Sequence, residues 1–445
     1  MQTRYFDYIE SRGTKSVRIE GCVYVLQNGD STFQDETFLF RPDTKDCILM
    51  QSVPDANSVE RMNDLEQRLS SGTNLENLLF PRVFACKNEN TGLETKYAFT
   101  AIPKTMAEAK TAGRLLDLTH AAVAFGFSLH ARLNAAMKFS EMMLRLGDFV
   151  GSDLLSVHPD EIYINTEVGD CYILLKEWFA SWINPEPGES FCMPPDWQER
   201  EDKTLDLYDL EYFVAYAVFR ILCGEDPFDG KKALKELPYL TPEAIQEMHR
   251  GDYDFVFRPD GNNGISAYIG QKLKNKWCSL PSFLRHAFAH DFTAGIADKK
   301  ERTPIGEWLE NVRKLRDCLV AVNRQYKFCD PDVPNNVCFM LVNDYKIPVW
   351  PGKAVYWYHV GLPKDSLKNG IAAGIRKGQD GKFYLMNYSG IEWGITLNTK
   401  ASCMVSDEKV EIVEGLTISF RDRAVIRIVS GLLPDTASRG MADMA

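Results

Sequence analysis

Apolar and polar positions alternate with a period of two through the first hundred residues, shift to helical spacing through the middle of the chain, and return to short alternating runs near its end. Val17-Arg18-Ile19-Glu20, Cys22 to Leu26 and Thr37 to Arg41 are β-rich runs, with Asn28-Gly29-Asp30 as turn chemistry between the second and third. Asp43 to Asp46 is another turn and Cys47-Ile48-Leu49-Met50 another strand. One helix follows, capped by Asn57 or Ser58, with Val59, Met62, Leu65 and Leu69 at helical spacing. Strands at Arg82 to Cys86 and Lys96 to Ile102 complete this part.

From about residue 106 the pattern predicts helix. Leu115, Leu118, Ala122, Phe125, Leu129, Leu133, Ala136 and Met137 make one apolar stripe that runs to Leu144 and Leu146 before Gly147. Short strands at Glu161 to Asn165 and Cys171 to Leu175 flank the turn Val168-Gly169-Asp170. Helices resume at Leu207 to Cys223, Thr241 to His249, Ile265 to Lys274, Pro281 to Phe292 and Pro304 to Asn323.

Phe328 to Asn336, with Pro331 and Pro334, reads as a linker. The runs beyond it are Cys338 to Val342, Ala354 to His359, Gly370 to Ile375, Lys382 to Met386, Gly394 to Leu397, Ala401 to Val405, Leu416 to Phe420 and Val425 to Val429. Short strands broken by turn dipeptides predict a β-sandwich. The small, polar residues from Pro434 to Ala445 predict a disordered tail. The domain reading is 1–105 (β-rich with one helix), 106–325 (helical), a linker over 326–337, a sandwich over 338–430 and a tail over 431–445.

Composition fits this division, since 445 residues at 45% hydrophobic and 25% charged suit two or three folded domains. The 51 Lys and Arg against 62 Asp and Glu give a net charge of −11, which argues against nucleic acid and acidic membranes as partners. Eleven cysteines without a CxxC pair fit free thiols in a reducing, cytoplasmic setting. The start MQTRYFDYIE lacks a signal-type apolar run, and no stretch of about 18 apolar residues spans a bilayer.

The element order, strands with one helix followed by a helical part with a two-strand insertion, resembles a protein kinase. Leu210 to Phe228 is similar to the kinase helix that ends in "LLxGxxPF", Phe191 to Asp196 to the "APE" end of an activation segment, and Leu280 to Trp308 to the late helices carrying "RPT". The resemblance covers residues 15 to 320 and is nearest to bacterial kinase-like proteins found beside von Willebrand-type and PP2C-type phosphatase partners. It implies an α+β, two-lobed fold and a buried ion pair between Asp196 and Arg302.

The catalytic signature fits less well. Phosphoryl transfer needs a glycine-rich loop, a strand Lys held by a helix Glu, a catalytic Asp, and an Asn and Asp that carry magnesium. The first hairpin offers only Gly21, followed by the bulky Cys22, Val23 and Tyr24. The strand for the Lys reads Cys47 to Val53 without a basic residue, leaving Gln51 as the polar group there and Glu60 or Glu66 as a solvated helix face. Phe149 to Leu154 resembles "VGDL" and makes Asp153 the catalytic Asp. Pro159 to Ile162 resembles "PENI" instead and puts Ser156 and Glu161 at the Asp and Asn positions. Lys176 stands where the metal Asp belongs and repels a divalent ion, with Glu177 beside it.

The resemblance therefore implies a pseudokinase that requires no metal and no cofactor. Lys176 contacting ATP or ADP directly without metal, and a divergent active kinase using Asp153, Glu161 and Glu177, are the alternatives.

The terminal β region is similar to a forkhead-associated (FHA) fold. Tyr384 to Ile395 is similar to the "DxxSxNGT" segment and Val413 to Phe420 to the strand after it. The "GR" and "SxxH" strings of that family are absent, which removes the main phosphate donors; Arg376, Lys377 and Lys382 are the substitutes. The expectation is a signalling or scaffold protein that binds protein partners, a PP2C-type phosphatase or von Willebrand-type protein among them. His286 and His290, at i and i+4, lack a third metal ligand, and Trp350, Val355 to Tyr358 and Trp393 are an aromatic cluster suited to a core, with peptide binding as the alternative.

Overall fold

The computed structural model describes residues 4–11, 14–26, 36–44, 46–53, 59–60, 62–63, 66–67, 77–87, 94–147, 161–174, 194–196, 200, 206–232, 254–265, 270–323, 325–331, 337–397, 400–404, 408–420 and 424–429. The chain divides into two compact units, residues 1–274 with 288–309, and residues 275–287 with 310–445. Both mix or alternate helix and strand, an α+β content.

The first unit begins with β1 (Phe6–Ser11), β2 (Thr14–Ile19), β3 (Cys22–Leu26), β4 (Glu36–Phe40), β5 (Cys47–Ser52), β6 (Leu78–Leu79), β7 (Arg82–Lys87) and β8 (Glu94–Ile102). Seven of these form one antiparallel sheet in the order β1-β2-β3-β4-β5-β8-β7. The sheet curls back on itself, because Tyr5, just before β1, bridges Ala85 on β7. Its inner side chains, Phe6, Val17, Ile19, Leu39, Ile48, Met50, Phe84 and Phe99, pack into one core. Strand β1 is absent from the sequence reading. Its aromatic Phe6 packs edge-on against Tyr97 and Phe99, contacts far off in the chain that no local pattern displays.

Helices α1 (Lys104–Thr111), α2 (Leu118–Val123) and α3 (Leu129–Leu146) follow, with β9 (Leu115–Asp117) between the first two. The single stripe from Leu115 to Leu146 is thus corrected to a strand and two helices. Asp117 caps α2 by accepting from His120 N at 3.0 Å, and Ser128 caps α3 by accepting from Ala131 N at 3.2 Å. Between them Gly126 turns the chain at φ +86°, leaving Phe125 fully exposed. Strands β10 (Ile162–Asn165) and β11 (Asp170–Leu174) form a hairpin that joins β9 on one side and β6, in parallel, on the other.

Helix α4 (Leu207–Cys223) is buried on almost every face and runs between an Asp206–Asp209 capping box and Gly224 at φ +77°. Arg132 of α3 is buried against it, donating to Ile221 O at 2.7 Å, Ala122 O at 2.9 Å and Phe127 O at 3.0 Å. Burial brings its guanidinium down to about 10. Helices α5 (Gly270–Ser279), α6 (Ser282–Asp291), α7 (Ala294–Ala297) and α8 (Ile305–Cys318) complete the helical part. The expected helix over 241–249 and the tail from 431 lie outside the described residues. Helix α5 runs on to Ser279, past the expected end at Lys274, and α8 ends at Cys318 rather than Asn323. The chain then turns into a hairpin of β12 (Leu319–Val322) and β13 (Gln325–Phe328), so 326–328 is strand and not linker.

The second unit carries β14 (Phe339–Val342), β15 (Tyr345–Pro348), β16 (Ala354–Tyr356), α9 (Trp357–Val360), β17 (Ile371–Lys377), β18 (Phe383–Asn387), β19 (Trp393–Leu397), β20 (Lys400–Met404), β21 (Lys409–Glu411), β22 (Thr417–Ser419) and β23 (Val425–Val429). They form a six-stranded sheet, β15-β14-β23-β22-β19-β20, and a four-stranded sheet, β16-β17-β18-β21. Residues of both, among them Val355, Ile375, Leu385, Trp393, Ile418 and Ile426, share one buried core. The expected strand over 354–359 is half helical, since Trp357 to Val360 make a turn closed by Gly361 at φ +64°.

Candidate functional site

The face of β5 that bears Gln51 also bears Cys47 and Leu49, since alternate residues of a strand share a face. Cys47 and Leu49 are buried with Met106, Ile102, Leu79, Tyr172 and Leu174 in a single cluster that joins β5 and β8 to β11 and α1. Thr105 Oγ1 and Tyr172 Oη hydrogen-bond at 2.9 Å on its edge. Gln51 itself is 7% exposed. The Cys47 and Leu49 positions of that face are therefore packed against the β10–β11 hairpin.

Gly21 and Gln51 are not brought together. Gly21 sits with Glu20 in a two-residue turn of positive φ, closing the Ile19–Cys22 pair. The register then runs Val25 to Phe40 and Phe40 to Cys47, while Gln51 pairs with Glu36. The Gly21 turn thus falls at the Cys47 end of the sheet, across β3 and β4 from a residue at the other end. The antiparallel register therefore sets Gly21 and Gln51 at opposite ends of the sheet. The strand ends at the Gln51 end are Leu26 and Glu36, which flank 27–35.

Glu66 departs from the solvated reading. It is 5% exposed and accepts from Arg4 Nη1 at 2.9 Å and Nη2 at 2.8 Å, with Arg82 Nε at 3.5 Å. The bond to Glu66 is the main reason the Arg4 guanidinium is held above its ordinary range. The local pattern of the helix could not show this, because the cation comes from the start of the chain.

Of the other candidates, Glu161 is buried one residue before the Ile162–Ile173 pair, at the Leu174 end of the hairpin. Asp153, Ser156, Lys176 and Glu177 lie outside the described residues.

Asp196 and Arg302 meet in an ion pair. Arg302 is fully buried and also donates to Gly295 O at 2.9 Å and Tyr208 O at 3.1 Å. Arg200 adds a second guanidinium, bonded to Asp196 and gripping Asp209 at 2.9 and 2.8 Å. Lys299 reaches Asp206 at 2.6 Å. Burial pushes the Asp196 carboxyl up, but the bonds and charges of Arg200 and Arg302 outweigh it and hold the group below its ordinary value. This network anchors the start of α4 and is structural in character.

His290 lies 3.7 Å from both Asp291 and Glu301, and no group of three metal-ligating side chains occurs among the described residues.

In the second unit, the end of α8 is fixed by a buried polar cluster. His359 Nε2 meets Asp317 Oδ2 at 2.8 Å, and His359 Nδ1 accepts from Tyr356 N at 2.9 Å. Because Nδ1 accepts, Nε2 carries the proton toward Asp317. The Arg316 guanidinium lies 3.6 Å from the ring centre of Tyr356 and 5.0 Å from that of Tyr358. Lys353 is half-buried, caps α8 by donating to Arg316 O at 2.9 Å and Leu319 O at 3.0 Å, and is lowered by burial to about 8. The aromatic cluster is accordingly packing, with Trp393 fully buried and donating to Ser389 Oγ at 2.9 Å.

The turn after β18 is held by its own side chains. Asn387 donates to Ile391 O at 2.8 Å and accepts from Ser389 N at 3.0 Å and Ser389 Oγ at 2.7 Å. Of the substitute cations, Lys382 is paired with Glu411 at 2.8 Å, Lys377 lies over Phe383, and Arg376 is exposed 6.0 Å from the ring centre of Tyr388.

No protein-family model matches the chain, and no curated protein matches it in sequence. Among solved structures it is similar to a kinase domain. That structure is the maize sucrose-induced receptor kinase 1 domain bound to AMP-PNP, at 11% identity and a TM-score of 0.38 over 70% of this chain and 93% of that one. No helix among the described residues is long and apolar enough to cross a membrane.

Proposed function

We propose that the chain is a signalling or scaffold protein in which a kinase-like part of pseudokinase type, with little or no phosphoryl transfer, is joined to an FHA-like sandwich. The observation that carries the first half is the packing of Cys47 and Leu49 onto Tyr172 and Leu174, which fills the Gln51 face of β5 with side chains. The Arg4–Glu66 pair supports the same reading, because the one buried helix Glu described there takes its cation from outside β5. Phosphoryl transfer rests on electrostatic groups aimed at phosphate and metal, and β5 contributes none.

The strand order of the two C-terminal sheets, antiparallel throughout and with one shared core, supports the sandwich. Protein partners, with a PP2C-type phosphatase or a von Willebrand-type protein as the first to try, are what such a pairing would bind. A thermal-shift titration of the full chain with ATP and ADP, with and without Mg²⁺ or Mn²⁺, tests the reading. We expect no rise in midpoint; a saturating, metal-dependent rise overturns it, and a saturating metal-independent rise assigns nucleotide contact to Lys176.

A further inference from the structure

Three cations from separate stretches of the sequence, Lys231, Arg258 and Lys274, line one depression of about 560 Å³ in the first unit, together with the apolar Val256, Phe257 and Ile265. The volume is that of a small-molecule site. All three cations are exposed. Arg258 is paired with Asp254 at 2.5 Å, whereas the ammonium groups of Lys231 and Lys274 have no carboxylate partner among the described residues. The segments that carry these cations are fastened to one another. Buried Asn263 donates to Phe228 O at 2.6 Å and to Asp254 O at 3.0 Å, and accepts from Lys232 N at 3.0 Å. Lys231 N donates to Gly264 O at 2.8 Å. The start of α5 sits on the end of the same loop, since a Cβ on Gly270 would stand only 2.8 Å from Ile265 Cγ2. Lys274, four residues further along, shares the helix face of Gly270. The backbone thus presets where the three charges stand, so their assembly is completed in folding rather than in binding.

In a chain of net charge −11, a depression lined by three cations is a local reversal of sign that concentrates anions. Cations from three segments around a depression of this size match several phosphates better than one. The apolar lining favours a ligand with a C–H face over an open phosphate chain. A ring that carries phosphates around its rim and C–H bonds on its faces meets both demands. We propose that this depression binds an inositol polyphosphate, its ring laid on Phe257 and Ile265 and its phosphates bonded by Lys231, Arg258 and Lys274. The proposal is independent of the pseudokinase reading, because none of these residues belongs to the β5 face or the hairpin on which that reading rests.

Isothermal titration calorimetry of the full chain with inositol hexakisphosphate tests it, with inorganic tripolyphosphate and, at matched ionic strength, sulfate as comparisons. Saturable one-to-one binding is expected that weakens with added salt and falls about tenfold or more in Lys231→Glu and in Lys274→Glu, tenfold being the loss of one charge-assisted bond. Arg427→Glu, an exposed charge on β23 in the second unit, is expected to change affinity less than about twofold, and far-UV spectra of all three variants confirm folding. Absence of saturable binding, or affinity unchanged in both lysine variants, overturns the site. Affinity for sulfate or tripolyphosphate equal to that for inositol hexakisphosphate overturns the choice of ligand. Neither result bears on phosphoryl transfer, which label incorporation decides separately.

Discussion

Arg4 and Glu66, 62 residues apart in the sequence, form a two-pronged ion pair at 2.9 and 2.8 Å that ties the first residues of the chain to the helical stretch after β5. Glu66 is buried while Arg4 is about one-third exposed, so the pair sits between the surface and buried regimes. Arg4→Ala should destabilise the first unit by about 1–3 kcal/mol, read as a lower urea midpoint, and Arg4→Ala with Glu66→Ala together should cost less than the sum of the two. Additive losses would mean the two side chains do not interact.

Arg302 is the more costly residue to remove. It is fully buried and bonded to Asp196, Gly295 and Tyr208, so Arg302→Ala strands two carbonyls, leaves Asp196 to Arg200 alone and should cost about 3–5 kcal/mol. Asp196→Ala, at a partly exposed position, should cost about 1–3 kcal/mol in the same denaturation experiment.

Glu211 sets a pH dependence. Burial, with the Asp291 charge second, raises its carboxyl to about 7, and its Oε2 has no hydrogen-bond partner. Burial likewise raises Asp229 to about 6. Both groups hold a proton in the folded state that they release when unfolded, so folded protein binds more protons between their ordinary values and these raised ones. Their contribution is present below about pH 4 and is lost as pH rises through 6 and 7. The midpoint of the first unit should fall over that interval, and Glu211→Gln should flatten the fall and stabilise the protein by about 1–2 kcal/mol at pH 8. An unchanged slope in Glu211→Gln would contradict this.

The His359–Asp317 pair gives a prediction for the second unit. His359→Ala removes the acceptor for Tyr356 N and the donor to Asp317, which has Oδ1 already unpaired, so about 2–4 kcal/mol should be lost. Asp317→Asn with His359→Ala should recover part of that loss by removing the buried charge. Thermal unfolding followed by tryptophan fluorescence reads it, with Trp393 in the core of the unit.

The legible parts of the fold are those whose signals are local. Helix α4 keeps its expected bounds because an uninterrupted apolar run is closed by Asp206 at one end and Gly224 at the other. Most strands of the second unit are marked by alternation and turn dipeptides, as at Asp380-Gly381 between β17 and β18, while β15 and β21 have no such mark in the sequence reading. Strand β1 is not legible because Phe6 packs on Tyr97 and Phe99 far along the chain, and the break at Gly126 is not legible because a hydrophobic stripe shows spacing and not the caps that interrupt it. The site was less legible than the fold. The partner of Glu66 stands at residue 4, the partner of His359 at residue 317, and the misfit of Gly21 with Gln51 follows only from the strand register.

Transfer of labelled γ-phosphate from ATP, by the purified full chain to itself and to a generic acceptor protein in the presence of Mg²⁺ or Mn²⁺, tests the central claim most directly. No incorporation above that of an Asp153→Ala variant is predicted. Incorporation by the natural chain that disappears in Asp153→Ala would contradict the pseudokinase reading.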